Sequence, residues 1–315
     1  MFVLRGIGIS LALFLVLYVP AALAVARGWG ALLQVLKPRT ARTSATLLFA
    51  MRVFPFALAT VFTLVFTLPS FLLLEPRSSD EAVGVAPLVL GFCCLGLLAI
   101  GIFQTVSAHM RTSRALMNWL DGSTLMESDA AAPVFRTGNN APSLTVAGVR
   151  TPKVLVSDAA VAALTPRELR TALKHEMAHA RSYDNLKKLF FRFSAFPGMA
   201  ALEHAWSEQS ELAADDDAVS CLRDALDLAG ALIKVSRLVP WQPQAELTTG
   251  LLHSSTALGM RVQRLVSWDK NVSAAATRKY WRYALPTLGG ALFLVVATYG
   301  PVLTGLHAVT EWLVR

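Results

Sequence analysis

Residues 175–179 read His-Glu-Met-Ala-His, an H-E-x-x-H spacing. On an α-helix, positions i and i+4 share one face, so His175 and His179 can offer their imidazoles to one zinc ion while Glu176 stands beside the open coordination position. Catalytic zinc commonly takes three protein ligands and keeps a fourth position for water, whose pKa falls to roughly 7. A further donor therefore separates hydrolytic chemistry from an ordinary surface pair of histidines. The stretch Glu208-Gln209-Ser210-Glu211-Leu212-Ala213-Ala214-Asp215 supplies candidates. Glu211 and Asp215 are again i and i+4, so one carboxylate can bind metal and the other can hold a ligand imidazole in its correct tautomer. The apolar neighbours Leu212, Ala213 and Ala214 mark Glu211 as inward-facing, whereas Glu208 sits between Ser207 and Gln209 and reads as solvated.

These residues need two helices facing each other. Thr165-Pro166-Arg167-Glu168 has the form of a capping box with Pro at the first helical position, so the helix carrying His175 begins there. Upstream, Ser143 to Val149 alternates polar and apolar residues, and Lys153-Val154-Leu155-Val156 follows a Thr151-Pro152 break, which predicts two short strands joined by a turn. The small, polar residues before them, around Gly138-Asn139-Asn140, are expected to loop out. A second helix is expected after Pro197-Gly198. Between the two, Leu186 to Trp206 is aromatic but interrupted by Lys187, Lys188, Arg192 and Glu203, so it lies on the membrane surface or forms an amphipathic core helix. Asp216 and Asp217 read as a solvated acidic turn and Cys221 as core.

The rest of the chain is a membrane protein's. Of its 315 residues, 54% are hydrophobic and 16% charged, with mean hydropathy +0.50. Uncharged runs cover residues 6–26, 53–74, 82–110 and 283–310. Each is long enough for a membrane helix, which needs about 20 apolar residues. Ala22-Leu23-Ala24 resembles a signal-peptide cleavage site, but topology argues for a retained helix. Arg27, Lys37, Arg39, Arg42 and Arg52 stand without an acid between the first two runs, while Glu75, Asp80 and Glu81 outnumber Arg77 between the second and third. By the positive-inside rule the first loop is cytoplasmic and so is the segment 111–282. The net charge of +8 and pI near 9.7 are then an inside/outside asymmetry rather than a nucleic-acid footprint. No basic-aromatic stripe favours nucleic acid as a partner. Three cysteines, two of them adjacent, build neither a disulfide scaffold nor a thiolate metal site.

The words Val149-Arg150-Thr151-Pro152-Lys153-Val154-Leu155-Val156-Ser157, Leu164-Thr165-Pro166-Arg167-Glu168-Leu169, the H-E-x-x-H run five residues before Asp184, and Glu211-Leu212-Ala213-Ala214-Asp215 resemble the integral-membrane gluzincin peptidases. The likeness spans roughly 143–225 and is nearest to the antirepressor type of the BlaR and MecR receptors. The HtpX and CaaX-prenyl-protease group is second; HtpX-type proteins usually place two helices before the motif and two after. The resemblance implies a mainly α, polytopic protein with about four transmembrane helices and a cytoplasmic α+β zincin-like domain. Its regions would be 1–110 (three membrane helices), 111–282 (metalloprotease) and 283–315 (last helix and tail). It implies one Zn2+ held by His175, His179 and Glu211, Glu176 as general base, and Asp215 and Asp184 as supporting carboxylates. His204, on the Glu211 stripe at i−7, and His253, ahead of Arg261, are candidates for the oxyanion donor, with Tyr183 no better supported. BlaR-type receptors carry a large external penicillin-binding domain after the last helix, where this sequence has Glu311–Arg315. A signal is therefore expected through the membrane helices or a sensor partner protein. The substrate expected is a cytoplasmic regulator or a membrane-associated protein, the location a bacterial inner (cytoplasmic) membrane. A quality-control protease and a non-catalytic membrane receptor or scaffold are the alternatives.

Overall fold

The computed structural model describes residues 2–74, 84–126, 132–138, 141–238, 248–250, 255–268, 298–305 and 308. Helix α1 covers Phe2–Leu36, α2 covers Ala41–Phe62 and passes through a π-turn, Thr63–Thr67, into α3 (Leu68–Leu74), and α4 covers Val85–Leu120. The three rods, of 35, 34 and 36 residues, are long and apolar enough to cross a membrane. At 1.5 Å per residue each measures about 50 Å, some 20 Å more than a hydrocarbon core of about 30 Å. The surplus accommodates the ends that carry Arg27, Arg42, Arg111 and Arg114. Helix α1 runs unbroken through Ala22-Leu23-Ala24, with Ala22 buried in the bundle. Of the fourth uncharged run, residues 298–305 are described and helical. They pack on the second rod: Ser70 Oγ donates to the Leu303 carbonyl at 3.0 Å, and the Phe66 and Tyr299 rings lie 5.7 Å apart.

The first thirty residues from 111 are expected to loop out, and the described ones, 111–126 and 132–138, correct this. Helix α4 continues to Leu120, so the boundary drawn at 110 falls inside a helix. Two strands then follow, β1 (Thr124–Met126) and β2 (Val134–Thr137). Outside a bilayer a helix can carry Arg111 and Arg114 without penalty. Strand β2 is specified by a partner distant in sequence rather than by its own short alternation. The expected pair does form: β3 (Leu144–Ala147) runs antiparallel to β4 (Lys153–Ser157), and β2 joins β4 in parallel. With β5 (Thr248–Gly250) the order is β1-β2-β4-β3-β5.

Short helix α5 (Asp158–Ala163) leads into α6 (Pro166–Arg181), and the predicted capping box is present at Thr165 and Glu168. Val134, Val146, Val154 and Val156 of the sheet bury against Ala172 and Met177 of α6 and against Leu228, Leu232 and Val235 of α9 (Leu222–Leu238). Helix α10 covers Ser255–Val266. Cys221, at the α8–α9 junction, is exposed rather than core.

The aromatic stretch 186–206 is two helices with an elbow between them. Helix α7 covers Asp184–Phe193 and α8 covers Ala200–Ala218, with Gly198 at φ +88° in the connection. Phe191, Met199, Leu202 and Trp206 bury among Phe14, Tyr18 and Ala22 of α1, Leu48 and Met51 of α2, and Cys94 of α4. The segment is therefore docked into the bundle. Gly101 makes this approach feasible, since a Cβ there would collide with the Phe193 carbonyl oxygen.

Glu168 ties the start of α6 to α9. Its Oε2 accepts from the Thr165 N–H at 2.8 Å and from Lys234 Nζ at 2.7 Å. Burial would raise its pKa, but these partners outweigh it and hold the carboxyl below its ordinary value. A depressed folded pKa contributes stability above the unfolded value of about 4.3 and loses it as pH falls through the folded one. Glu168→Gln is expected to cost about 1–2 kcal/mol at pH 7, read by thermal unfolding in detergent. The gap from wild type should close as pH falls through the depressed value; a gap unchanged down to pH 3 would contradict the assignment.

Candidate metal centre

The capping box sets the phase of α6, which turns Ala172 and Met177 to the sheet and His175, Glu176 and His179 toward α8. Helix α8 answers with Glu211 and Asp215, all five residues being buried. His175, His179 and Glu211 form the one group among the described residues arranged to hold a metal ion. The two Nε2 atoms lie 3.1 Å apart, and each stands 3.5 Å from a different oxygen of Glu211. Tetrahedral zinc with bonds of about 2.0–2.1 Å needs ligand-to-ligand edges of about 3.4 Å. The triangle fits that demand, and two imidazole nitrogens facing each other at this distance call for a cation or a proton between them.

Each histidine is oriented from behind. Asp215 Oδ1 lies 3.0 Å from His175 Nδ1, and Asp184 Oδ2 lies 2.7 Å from His179 Nδ1. His179 Nδ1 is thereby hydrogen-bonded, and Asp215 faces His175 Nδ1 at ion-pair distance, which leaves both Nε2 atoms turned to the triangle, the role of a supporting carboxylate. Asp184 reaches His179 because the chain reverses at Tyr183, which has φ +54°, a left-handed conformation that is uncommon for a non-glycine residue. Asn185 then fixes the start of α7 by donating to the carbonyls of Val146 and Gly148, both at 3.1 Å.

Arg261 of α10 closes the far side. Its Nε and Nη2 donate to the two oxygens of Asp215 at 2.8 and 2.6 Å, and its Nη1 lies 3.0 Å from Glu211 Oε2. Buried carboxylates are costly unless paired, and burial alone would raise Asp215. Arg261 and His175 reverse that and bring it down to about 2. Burial likewise opposes the charged form of His179, but Glu211 and Asp184 prevail and raise it to about 10. Glu211 is held well below the ordinary carboxylate range by His179 and Arg261, against its own burial.

Glu176 differs from the other acids. It is fully buried, and neither carboxylate oxygen has a hydrogen-bond partner among the described residues. Burial raises its pKa to about 7 against the pull of His175, His179 and Arg261. A buried carboxylate without a hydrogen-bond partner beside a triangle of donors is the arrangement a metal ion with a bound water would satisfy. The donor set, the spacing and this orphaned group all fit zinc.

His204, a candidate oxyanion donor, is not brought to the site: its side chain is 70% exposed and stands 3.5 Å from Glu208, itself 43% exposed. Two turns before Glu211 the buried face of α8 is the one that carries Leu202 and Trp206 into the helix bundle, and His204 lies off that face. Tyr183 is exposed too, and His253 lies outside the described residues. Asp216 and Asp217 are not merely solvated, pairing with Arg264 and Arg42. Sequence reasoning missed Arg261 as a site residue, since nothing local to α10 marks it. It also missed Lys188, one turn past Asp184 on α7. Burial lowers the pKa of Lys188, while Glu211, Asp184 and Glu176 act to raise it, which places its ammonium within their field.

No protein-family model matches this sequence, and no curated protein matches it either.

Asp215→Ala removes the acceptor behind His175. It is expected to weaken zinc binding by about 10 to 100-fold, measured by chelator competition on purified protein. Wild-type affinity would take Asp215 out of the site.

Proposed function

We propose that this chain is a membrane-embedded zinc endopeptidase of the BlaR/MecR antirepressor type, cutting a cytoplasmic regulatory protein or a membrane-associated one. The observation that carries the reading is the buried triangle of His175, His179 and Glu211 beside the unpartnered carboxylate of Glu176. His175 and His179 would hold the ion through Nε2 and Glu211 through its carboxylate. When bound, zinc supplies Lewis acidity and an acidified water. Glu176 would accept the water's proton on its carboxylate and return it to the leaving amine. Asp215 and Asp184 keep the two imidazoles in the tautomer that leaves Nε2 free.

In this reading residues 111–282 form an α+β zincin-like domain on the cytoplasmic side of a bacterial inner membrane, and 283–310 make a fourth span. Three long apolar helices precede His175, which supports the antirepressor type over the HtpX type. The contacts of Ser70 and Phe66 with Leu303 and Tyr299 support a fourth rod against the second.

The test is zinc analysis with casein or self-cleavage assays on detergent-purified protein. Glu176→Gln is expected to retain about one zinc per chain and to lose about 10²–10⁴-fold in cleavage. Near-normal proteolysis by the zinc-loaded variant would overturn the role of Glu176. Zinc-loaded wild type that cleaves nothing would favour the receptor or scaffold.

A further inference from the structure

Arg52 directly precedes the second uncharged run and is 1% exposed, unusual burial for a guanidinium. Its fork is fully used. Nε donates to Glu203 Oε1 at 2.8 Å, Nη1 to Ser194 Oγ at 3.1 Å, and Nη2 to the carbonyls of Ser194 and Phe191 at 2.8 and 3.3 Å. The Tyr18 hydroxyl of α1 donates to the same Ser194 carbonyl at 3.1 Å. Phe191 and Ser194 end α7, where helix carbonyls lack intrahelical partners and a cation meets the negative end of the dipole. Glu203 is in the first turn of α8. One side chain of α2 thus grips both arms of the α7–α8 elbow at their vertex.

The far ends of those arms carry the metal-site carboxylates. Asp184 opens α7, about 15 Å from its C-terminal end at 1.5 Å per residue, and Glu211 lies about 17 Å along α8. A rotation of either arm by about 2° about the vertex moves its end by about 0.5 Å. Metal sites tolerate about 0.2 Å in ligand distance, and designed sites fail at about 0.5 Å. The two arms approach the cluster from separate helices, so a small change at the vertex separates Asp184 from Glu211 rather than carrying them together.

We propose that Arg52 is a positioning residue for the zinc centre: from within the membrane-helix bundle it fixes the angle of the α7–α8 elbow and hence the placement of Asp184, Glu211 and Asp215 around His175 and His179. The inference rests on the zinc-site reading above. It predicts that the metal centre responds to the bundle through one guanidinium, although no bundle residue is a ligand. A purely structural anchor would change the stability of the whole chain and leave a folded site unaltered.

Arg52→Lys keeps the charge and loses the fork; Arg52→Gln loses both; Glu203→Gln loosens only the α8 arm, through a half-exposed acid. The full chain of each, in detergent and judged folded by circular dichroism, is titrated with zinc against a chelator and with Co2+ while its visible ligand-field absorption is recorded. Zinc affinity is expected to fall about 10-fold or more in Arg52→Gln and less in Arg52→Lys and Glu203→Gln, with a shifted Co2+ spectrum in each. If Arg52→Gln does not fold, the other two variants carry the test. Wild-type zinc affinity and an unshifted Co2+ spectrum in the folded variants would overturn the proposal. Wild-type chain that takes up neither ion would instead overturn the zinc reading.

Discussion

Two imidazoles can aim their Nε2 lone pairs at one point only when each Nδ1 has an acceptor of its own. Asp184 hydrogen-bonds His179 Nδ1 at 2.7 Å and Asp215 stands 3.0 Å from His175 Nδ1 as its charge partner, and much of the architecture follows from these two placements. To place an acid behind His179, the chain must reverse directly after α6, hence the left-handed Tyr183 and the Asn185 clasp on β3. To place one behind His175, a second helix must cross α6 with Glu211 and Asp215 one turn apart. These buried acids then need cationic partners. Arg261 takes Asp215 and Glu211, and Lys187 takes the second oxygen of Asp184 at 2.9 Å.

The membrane helices enter the same argument. Helix α7 is only ten residues long and α8 would be free to swing at Gly198, so neither arm positions itself. The elbow is instead seated among α1, α2 and α4. There Phe191 meets Trp206 edge-on at 5.0 Å and Phe56 meets Phe193 at 5.3 Å. Arg52 would be costly at this depth if unpaired. Its partners offset that cost, and they belong to the arms that carry the site's carboxylates. The candidate metal site and the long apolar helices are therefore parts of one packed unit rather than a domain tethered to an anchor.

Much of this was legible in the sequence because its signals are local. The capping box at Thr165, the i, i+4 pairs at 175/179 and 211/215, and the first three uncharged runs depend on spacing within one helix, and the structure bears these out as helices and as a cluster. The β3–β4 pair was legible for the same reason, its strands being separated by a short turn. What escaped depends on contacts distant in sequence. Strand β2 is chosen by its parallel partner β4, Arg261 by carboxylates on α8, and Arg52 by an elbow about 140 residues downstream. His204 shows the opposite failure: a periodic stripe was followed to the part of α8 that docks in the bundle, where Leu202 and Trp206 take the buried face and His204 is left exposed.

The central claim, one zinc held by His175, His179 and Glu211, is tested most directly by X-ray absorption at the zinc edge on the purified, zinc-loaded full chain. The account predicts a first shell of about four nitrogen and oxygen scatterers at about 2.0–2.1 Å, with the outer-shell pattern of two imidazoles. Sulfur scattering near 2.3 Å, or a shell without imidazole, would contradict it.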